Sequence, residues 1–305
     1  MSASAKPLSR VTIREHRIPT APSGPYICAE GPDHRLWFCE SVSGKIGRLD
    51  PATGTFDEFA LPDPGSTPIG IVTGADGNLW FCEKRGHRVG RITPAGAITE
   101  FALPTQKAGP DGIIDGPDGN VWFSEGDANQ IGRITPAGDV TEFSAGISPG
   151  SRPLSLTVRG RAIWFTEADG HRIARMDLEG RVREFDTVTP NSQPRAACTH
   201  PNGDVWFVET SANALGRVRD GKVSEHRVPI ENASLRGVTV GPDGNLWYTA
   251  NAANRIGCMS PEGEPLFDVA IPTPASGARC IATMSNGRLY FTAYDASAIG
   301  EIILD

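Results

Sequence analysis

The chain alternates short apolar runs with polar turns. In the stretch of residues 116–138, GPDGNVWFSEGDANQIGRITPAG, a GPDG turn precedes an apolar run at 121–124, and a second turn precedes another run at 131–135. Runs of β-branched and aromatic residues bounded by Gly, Pro, Asn and Asp are typical of strands joined by tight turns. The pattern therefore predicts two short strands in this stretch.

The same pattern recurs along almost the whole chain at intervals of about 42 residues. An aromatic anchor marks each unit, and the seven anchors are Trp37, Trp80, Trp122, Trp164, Trp206, Trp247 and Tyr290. An Ile-Gly-Arg triplet or a variant follows each anchor, and a further apolar segment such as residues 98–104 separates the units. A period near 40 with about four strands is typical of a β-propeller blade. The sequence predicts an all-β, seven-bladed propeller with four-stranded antiparallel blades.

Residues 1–305 are expected to form a single propeller domain, with blades beginning near residues 25, 68, 110, 153, 194, 235 and 278. The seventh unit supplies only three strands. Residues 11–18 (VTIREHRI) resemble the outer-strand segment 223–230 (VSEHRVPI). We therefore expect residues 11–18 to be the outer strand of blade seven, which would close the ring and leave few open edges. Residues 1–10 are predicted to be a polar tail.

Charge and composition narrow the classes of partner. The formal net charge is −7 and the pI is about 5.4, which disfavours nucleic acid and anionic membranes. There is no apolar run of membrane-spanning length and no apolar signal segment at the start. We expect a cytoplasmic monomer. The six cysteines include no CxxC pair, so we interpret them as small buried hydrophobic residues, with a disulfide or a nucleophilic thiol as the alternatives.

One residue opens each predicted inner strand, and these seven residues should surround the axis at one face of the ring. They are Tyr26, Ile69, Asp111, Leu154, Arg195, Arg236 and Arg279. Like charges about 8 Å apart repel by roughly 2 kcal/mol, so three arginines on consecutive blades need carboxylates or a bound anion. We predict that Arg195, Arg236 and Arg279, with Asp111, bind a carboxylate or phosphate on the substrate. The alternative is pairing with glutamates such as Glu167 and Glu209.

A second set of residues ends the second strand of each blade. Its members are Glu40, Glu83, Glu125, Glu167, Glu209, Ala250 and Ala293. The recurring glutamate indicates a scaffold role, and its loss in blades six and seven predicts an off-axis pocket beside Arg236 and Arg279. Asp111 together with Glu83 and Glu125 is a candidate oxygen-rich site for magnesium or calcium. No other cofactor is indicated.

A third set lies in the turn after the second strand, where asparagine recurs. His87 and His171 replace the asparagine in blades two and four. Each is interpreted either as a turn residue that makes hydrogen bonds or as an acid–base catalyst.

The repeating template PxGIxxGPDGNLWFxExxxNxIGRITPxGxITEFxLP resembles the streptogramin B lyase (virginiamycin B lyase) family over essentially the whole chain. The resemblance implies a seven-bladed propeller with its site on one face of the ring. The characterised lyases of that family linearise a cyclic depsipeptide antibiotic by magnesium-dependent elimination at its ester linkage.

The catalytic positions depart from the family pattern. Arg236 stands where the lyases carry a histidine, and residues 277–279 read Gly-Ala-Arg where the lyases have the Glu-Pro-His that supplies a metal ligand and the general base. A second metal-binding glutamate of the lyases corresponds to Tyr294, and only the aromatic Tyr26 matches. Arginine stays protonated near neutral pH and does not act as a base. The resemblance therefore implies the fold and the face that carries the site, but not the streptogramin reaction.

The leading hypothesis is a small-molecule enzyme, either a C–O lyase or a lactone or ester hydrolase. It would act in the central funnel on an anionic, lactone or ester substrate. The three funnel arginines would hold the anion or a developing oxyanion. Tyr26, Tyr294, His87 or His171 would transfer protons. The alternatives are a non-catalytic propeller that binds a ligand or a protein, and a true streptogramin B lyase with relocated catalytic residues.

Overall fold

The computed structural model describes residues 11–304, and all regular secondary structure in that range consists of β-strands. The strands are β1 (Val11–Arg17), β2 (Pro25–Glu30), β3 (Leu36–Glu40), β4 (Lys45–Leu49), β5 (Phe56–Ala60), β6 (Pro68–Thr73), β7 (Leu79–Glu83), β8 (Arg88–Ile92), β9 (Ile98–Ala102), β10 (Pro110–Asp115), β11 (Val121–Glu125), β12 (Gln130–Ile134), β13 (Val140–Phe143), β14 (Pro153–Arg159), β15 (Ala162–Glu167), β16 (Arg172–Asp177), β17 (Val182–Asp186), β18 (Pro194–Thr199), β19 (Val205–Glu209), β20 (Ala214–Arg219), β21 (Lys222–Arg227), β22 (Leu235–Val240), β23 (Leu246–Ala250), β24 (Arg255–Met259), β25 (Pro265–Ala270), β26 (Ala278–Thr283), β27 (Leu289–Ala293) and β28 (Ala298–Leu304). The polar tail predicted for residues 1–10 lies outside the described residues. No helix between residues 11 and 304 is long and apolar enough to cross a membrane.

The strands form seven four-stranded antiparallel sheets, which confirms the predicted seven-bladed propeller. Blades one to six each use four consecutive strands, beginning with β2, β6, β10, β14, β18 and β22. Blade seven has the order β1-β28-β27-β26, so its outer strand comes from the start of the chain. The pairing runs from Val11 opposite Leu304 to Arg17 opposite Ala298. The predicted closure of the ring is therefore confirmed.

The apolar core lies between neighbouring blades. Trp37 is fully buried and stacks on Phe59 of the outer strand, with the ring centres 5.4 Å apart. Arg48 covers the same indole at 4.9 Å and donates to the carbonyl of Pro94 in the next blade at 2.8 Å. The same arrangement recurs in the next blade, where Arg91 covers Trp80 and donates to the carbonyl of Pro136, so these contacts hold neighbouring blades together.

The inner strands approach each other closely around the axis. In every blade the pairing register shifts between the first and fourth residues of the inner strand, as between Leu235 and Val238 in blade six. A Cβ atom at Gly237 would lie 2.5 Å from the carbonyl oxygen of Arg279 in blade seven, so only glycine permits this approach. The second residue of the inner strand, such as Arg236 in β22, thereby lies at the axis.

Candidate functional site

A cavity of about 210 Å³ lies on the propeller axis, at the face where the inner strands begin. Six of the seven residues predicted to open the inner strands line it, each as the second residue of its strand, and these are Tyr26, Asp111, Leu154, Arg195, Arg236 and Arg279. Further along the same strands, the wall is apolar and includes Ile113, Leu156, Val238 and Ile281. The cavity therefore has charged residues where the inner strands begin and apolar walls further along these strands.

The three arginines of the cavity, Arg195, Arg236 and Arg279, carry uncompensated charge. The Nε atom of each is buried and has no hydrogen-bond partner. No carboxylate of residues 11–304 forms a salt bridge with any of the three guanidinium groups, at a limit of 4.0 Å. Burial, followed by the charges of Arg195 and Arg279, lowers the pKa of Arg236. The three like charges have no counter-charge and are partly buried, so a bound anion would stabilise the cluster.

The glutamates considered as partners of these arginines lie elsewhere. Glu167 and Glu209 are fully buried, and neither carboxylate oxygen of either residue has a hydrogen-bond partner. Burial raises the pKa of Glu167 to about 8 and that of Glu209 to about 7. Each faces a glutamate of its own outer strand, Glu184 or Glu225, instead of an arginine at the axis. The alternative of arginine–glutamate pairing is therefore wrong.

Arg279 is enclosed by two tyrosines. Its guanidinium carbon lies 3.9 Å from the centre of the Tyr294 ring and 5.0 Å from that of Tyr26. The two rings are perpendicular, with their centres 6.1 Å apart. The hydroxyl of Thr292 donates to the carbonyl of Tyr26 at 2.7 Å, and that of Thr249 donates to the carbonyl of Arg279 at 2.9 Å. These bonds between blades fix the backbone on which the cluster is built.

Asp111 stands on the other side of the cavity and is already paired. The Lys84 ammonium lies 2.5 Å from its carboxylate. In the next blade, the corresponding residue is the uncharged Leu154. All three cavity arginines lie in blades five to seven. The positive charge is thus concentrated on one side of the cavity.

The structure does not bring the three candidate metal ligands, Glu83, Asp111 and Glu125, together. No group of three His, Cys, Asp or Glu side chains among residues 11–304 is placed to hold a metal ion. Glu83 and Glu125 are fully buried within their own blades, and Gln130 donates to Glu125 at 2.6 Å. Asp111 is paired with Lys84 instead.

The metal implied by the family resemblance also fails to fit these side chains. The corresponding positions carry Arg236, Arg279 and Tyr294, and the guanidinium of Arg279 lies against the Tyr294 ring. Cationic groups repel a divalent cation and offer it no lone pair. This donor set does not suit magnesium.

His87 and His171 occupy turns and do not line the cavity. Both have positive φ angles, 52° and 56°. Their Nδ1 atoms accept hydrogen bonds from the backbone N–H groups of Gly109 at 3.2 Å and Gln193 at 3.4 Å. At the same repeat position, Oδ1 of Asn129 accepts from the N–H of Arg152 at 3.0 Å. The two histidines thus make the hydrogen bond that asparagine makes in other blades.

The prediction of an off-axis pocket beside Arg236 and Arg279 is wrong. Ala250 and Ala293 are both fully buried. Ala250 packs with Leu235 and its apolar neighbours, and Ala293 packs with Ala278. Loss of the glutamate is therefore compensated by apolar packing and opens no space.

Sequence reasoning missed one residue of the site, Lys84, and the contact that Tyr294 makes with Arg279. Lys84 and Tyr294 occupy the same repeat position, directly after the second strand. Lys84 reaches Asp111, and Tyr294 reaches Arg279 and borders Tyr26 of the following blade. The signal was the variability of this position, which reads Ser41, Lys84, Gly126, Ala168, Thr210, Asn251 and Tyr294 along the chain. Tyr294 had been considered as a proton-transfer group, but its contact with Arg279 had not been foreseen.

The fold is that of a seven-bladed propeller with a cavity on its axis. The profile of the Virginiamycin B lyase family matches residues 6–159 and 145–305. The chain belongs to the virginiamycin B lyase family.

Solved structures agree with this assignment. The chain is 29% identical to selenomethionine-substituted virginiamycin B lyase from Staphylococcus aureus, with a TM-score of 0.91 over 97% of this chain and 100% of that chain. A catalytically inactive variant of the S. aureus enzyme with quinupristin is 29% identical, with a TM-score of 0.92 and the same coverage. A segment of 41 residues is 51% identical to virginiamycin B lyase from Saccharopolyspora erythraea, but it spans only 13% of this chain and 14% of that protein.

Proposed function

We propose that this protein recognises a small molecule through an anionic group in the axial cavity and acts on it as a C–O lyase or as a lactone- or ester-opening enzyme. The observation that supports the proposal is the cluster of Arg195, Arg236 and Arg279, whose buried Nε atoms have no partner. Such a cluster is costly in the absence of a ligand, and a carboxylate or phosphate would receive charge-assisted hydrogen bonds from it.

The residues of the site divide into three roles. Arg195 and Arg236 would hold the anionic group of the substrate. Arg279 would stabilise negative charge that develops on oxygen as the C–O bond breaks, which is the usual role of a fixed cation near a reacting ester. Tyr294, in contact with Arg279, and Tyr26 would donate or accept the proton. We assign no catalytic role to His87 or His171, since their Nδ1 atoms bond the backbone of turns.

A non-catalytic propeller that binds an anionic ligand is the second candidate. The observation that favours it is the composition of the cavity, which contains three arginines and one tyrosine but no imidazole. The same anion would occupy the same arginines in both cases. The two candidates differ only in whether the ligand is changed chemically.

A combined binding and turnover assay tests the proposal. Wild type, the double variant Arg236→Met/Arg279→Met and the control Arg161→Met would be incubated with lactones, esters, carboxylates, phosphates and one type B streptogramin. Arg161 is exposed and lies in the turn after β14, at the opposite face of the ring. Thermal shift reports binding, and mass spectrometry reports turnover. Elimination within a ring leaves the mass unchanged, whereas hydrolysis adds one water.

The proposal predicts that wild type and Arg161→Met convert at least one anionic ligand that also stabilises them, and that the double variant does neither. Stabilisation without conversion would favour the binding candidate. Equal responses from all three proteins, or none, would contradict the anion site itself.

A further inference from the structure

Cys28 and Cys280 face each other across the junction of blades one and seven. Their sulfur atoms are 3.8 Å apart although the residues are 252 positions apart in sequence. Cys280 is half-buried and lines the axial cavity, whereas Cys28 is only 4% exposed. Cys280 therefore borders the cavity, and Cys28 is shielded beside it.

The neighbouring buried cysteines have different surroundings. The thiol of Cys39 donates to the carbonyl of Gly70 at 3.5 Å, and that of Cys82 donates to the carbonyl of Gly112 at 3.9 Å. Among the six free cysteines, all within residues 11–304, the hydrogen bonds join two sulfur atoms only at Cys28 and Cys280. A disulfide needs a sulfur–sulfur distance of about 2.0 Å, so the pair must close by a little under 2 Å.

We propose that Cys28 and Cys280 form a peroxide-sensitive thiol pair, in which a small hydroperoxide entering the axial cavity oxidises Cys280 and Cys28 converts the product to a disulfide. In the first step the Cys280 thiolate attacks the hydroperoxide, the O–O bond breaks, Cys280 becomes a sulfenic acid and the alcohol or water leaves. In the second step the Cys28 sulfur attacks the Cys280 sulfur, and hydroxide leaves with the Cys28 proton as water. Two thiols are oxidised and one hydroperoxide is reduced.

The order of the two steps follows from the geometry and from the hydrogen bond. Cys280 is the cysteine of the pair that lines the cavity. The hydrogen bond donated by the Cys28 thiol lowers the pKa of Cys280, and the same contact raises the pKa of Cys28. The thiolate is the reactive form, so Cys280 attacks the hydroperoxide first. Cys28 then attacks the oxidised Cys280 sulfur.

The disulfide would join the inner strands of the two blades at which the ring closes. At present this junction depends on strand pairing and side-chain contacts, including the pairing of β1 with β28. A cross-link between residues so distant in sequence restricts the unfolded chain strongly. We expect the oxidised protein to melt a few degrees Celsius higher than the reduced protein.

Peptide mapping tests the proposal directly. Cleavage after Lys and Arg places each of the six cysteines on a different peptide, with Cys28 in residues 18–35 and Cys280 in residues 280–288. Folded wild type would be treated with hydrogen peroxide, free thiols blocked with an alkylating reagent, and the digest analysed by mass spectrometry. We expect a disulfide-linked species of peptides 18–35 and 280–288, with the other four cysteines alkylated.

Variants and an unfolded control make the result specific. Cys39→Ser should still form the link, whereas Cys280→Ser should leave Cys28 alkylated, and Cys28→Ser should stop at the sulfenic acid, which dimedone traps. When the protein is unfolded in guanidinium before oxidation, the preference for a disulfide between Cys28 and Cys280 should disappear. Absence of the link in folded wild type, or preferential oxidation of Cys39, would overturn the proposal.

Discussion

The guanidinium carbon of Arg279 lies 3.9 Å from the centre of the Tyr294 ring. At that distance the negative face of the ring attracts the cation and holds it in place without neutralising it. A carboxylate would have fixed the arginine equally well but would have cancelled its charge. Among the residues that the structure describes, the tyrosine pair thus orients a cation whose charge remains for a ligand.

Replacement of Tyr294 separates orientation from proton transfer. Tyr294→Phe keeps the ring over Arg279, so we expect anion affinity to stay within about twofold. Turnover should fall by about 100-fold, because the substitution removes the hydroxyl that is proposed to transfer the proton. Tyr294→Leu removes the ring and should weaken anion binding by about three- to tenfold. Calorimetry measures the anion affinity, and steady-state kinetics measures the turnover. Equal binding by the Phe and Leu variants would show that the ring does not orient Arg279.

Removal of one cavity arginine should stabilise the protein in the absence of ligand. Arg236 is flanked by the charges of Arg195 and Arg279, which lower its pKa. Arg236→Met relieves this repulsion and should add about 1 kcal/mol to the free energy of unfolding, or roughly 2 °C to the melting temperature. Differential scanning calorimetry in low salt measures the shift, and Arg161→Met serves as the control. A lower melting temperature for Arg236→Met would mean that the cluster is compensated in solution.

The turn role of His171 can be tested with asparagine. The residue has a φ of 56° and its Nδ1 accepts a backbone hydrogen bond, as the asparagines do at the same position of other blades. His171→Asn should change the free energy of unfolding by less than about 0.5 kcal/mol. His171→Ala should cost about 1–2 kcal/mol, because it loses the hydrogen bond and tolerates positive φ poorly. A folded His171→Asn protein that has lost turnover would restore His171 as a catalytic candidate.

The buried glutamates make stability depend on pH. Burial raises the pKa of Glu167 from an ordinary value of 4.5 to about 8, and that of Glu40, Glu83, Glu125 and Glu209 to about 7. In each case the folded state holds a proton that the unfolded chain releases. Their contribution is therefore fully present below pH 4.5 and is lost as the pH rises through 7 to 8.

Glu167→Gln isolates one of these protons. The substitution keeps the side chain neutral at every pH, so between pH 5 and 8 the free energy of unfolding should fall less steeply than in wild type, by about 1.4 kcal/mol per pH unit. Melting curves across this range measure the slopes. The exposed Glu179→Gln provides the control and should follow wild type. An unchanged slope in Glu167→Gln would mean that Glu167 is ionised in the folded protein.

The fold could be predicted because every blade repeats the same local rules. The turn residues, the aromatic anchors and the regular spacing of apolar runs all indicate a seven-bladed propeller. Residues 11–18 resemble an outer strand of another blade. The arginines could be placed at the axis for the same reason, since repeat position alone brings Arg195, Arg236 and Arg279 to one cavity.

Contacts between blades could not be predicted in the same way. The Lys84–Asp111 pair and the Cys28–Cys280 contact join different blades and depend on side-chain reach across the junction. The expected off-axis pocket failed because apolar neighbours pack against Ala250. Repeat position fixes where a backbone lies, but packing decides whether the space beside it is filled.

Calorimetric titration of the reduced protein with a small carboxylate or phosphate from the thermal-shift panel tests the central claim most directly. The account predicts binding of one anion per chain by wild type and Arg161→Met, weakening as salt is raised. Arg236→Met/Arg279→Met should lose at least about tenfold in affinity, since each charge-assisted hydrogen bond contributes about 1.5–3 kcal/mol. Undiminished binding by the double variant would contradict the claim that the unpaired arginines form the ligand site.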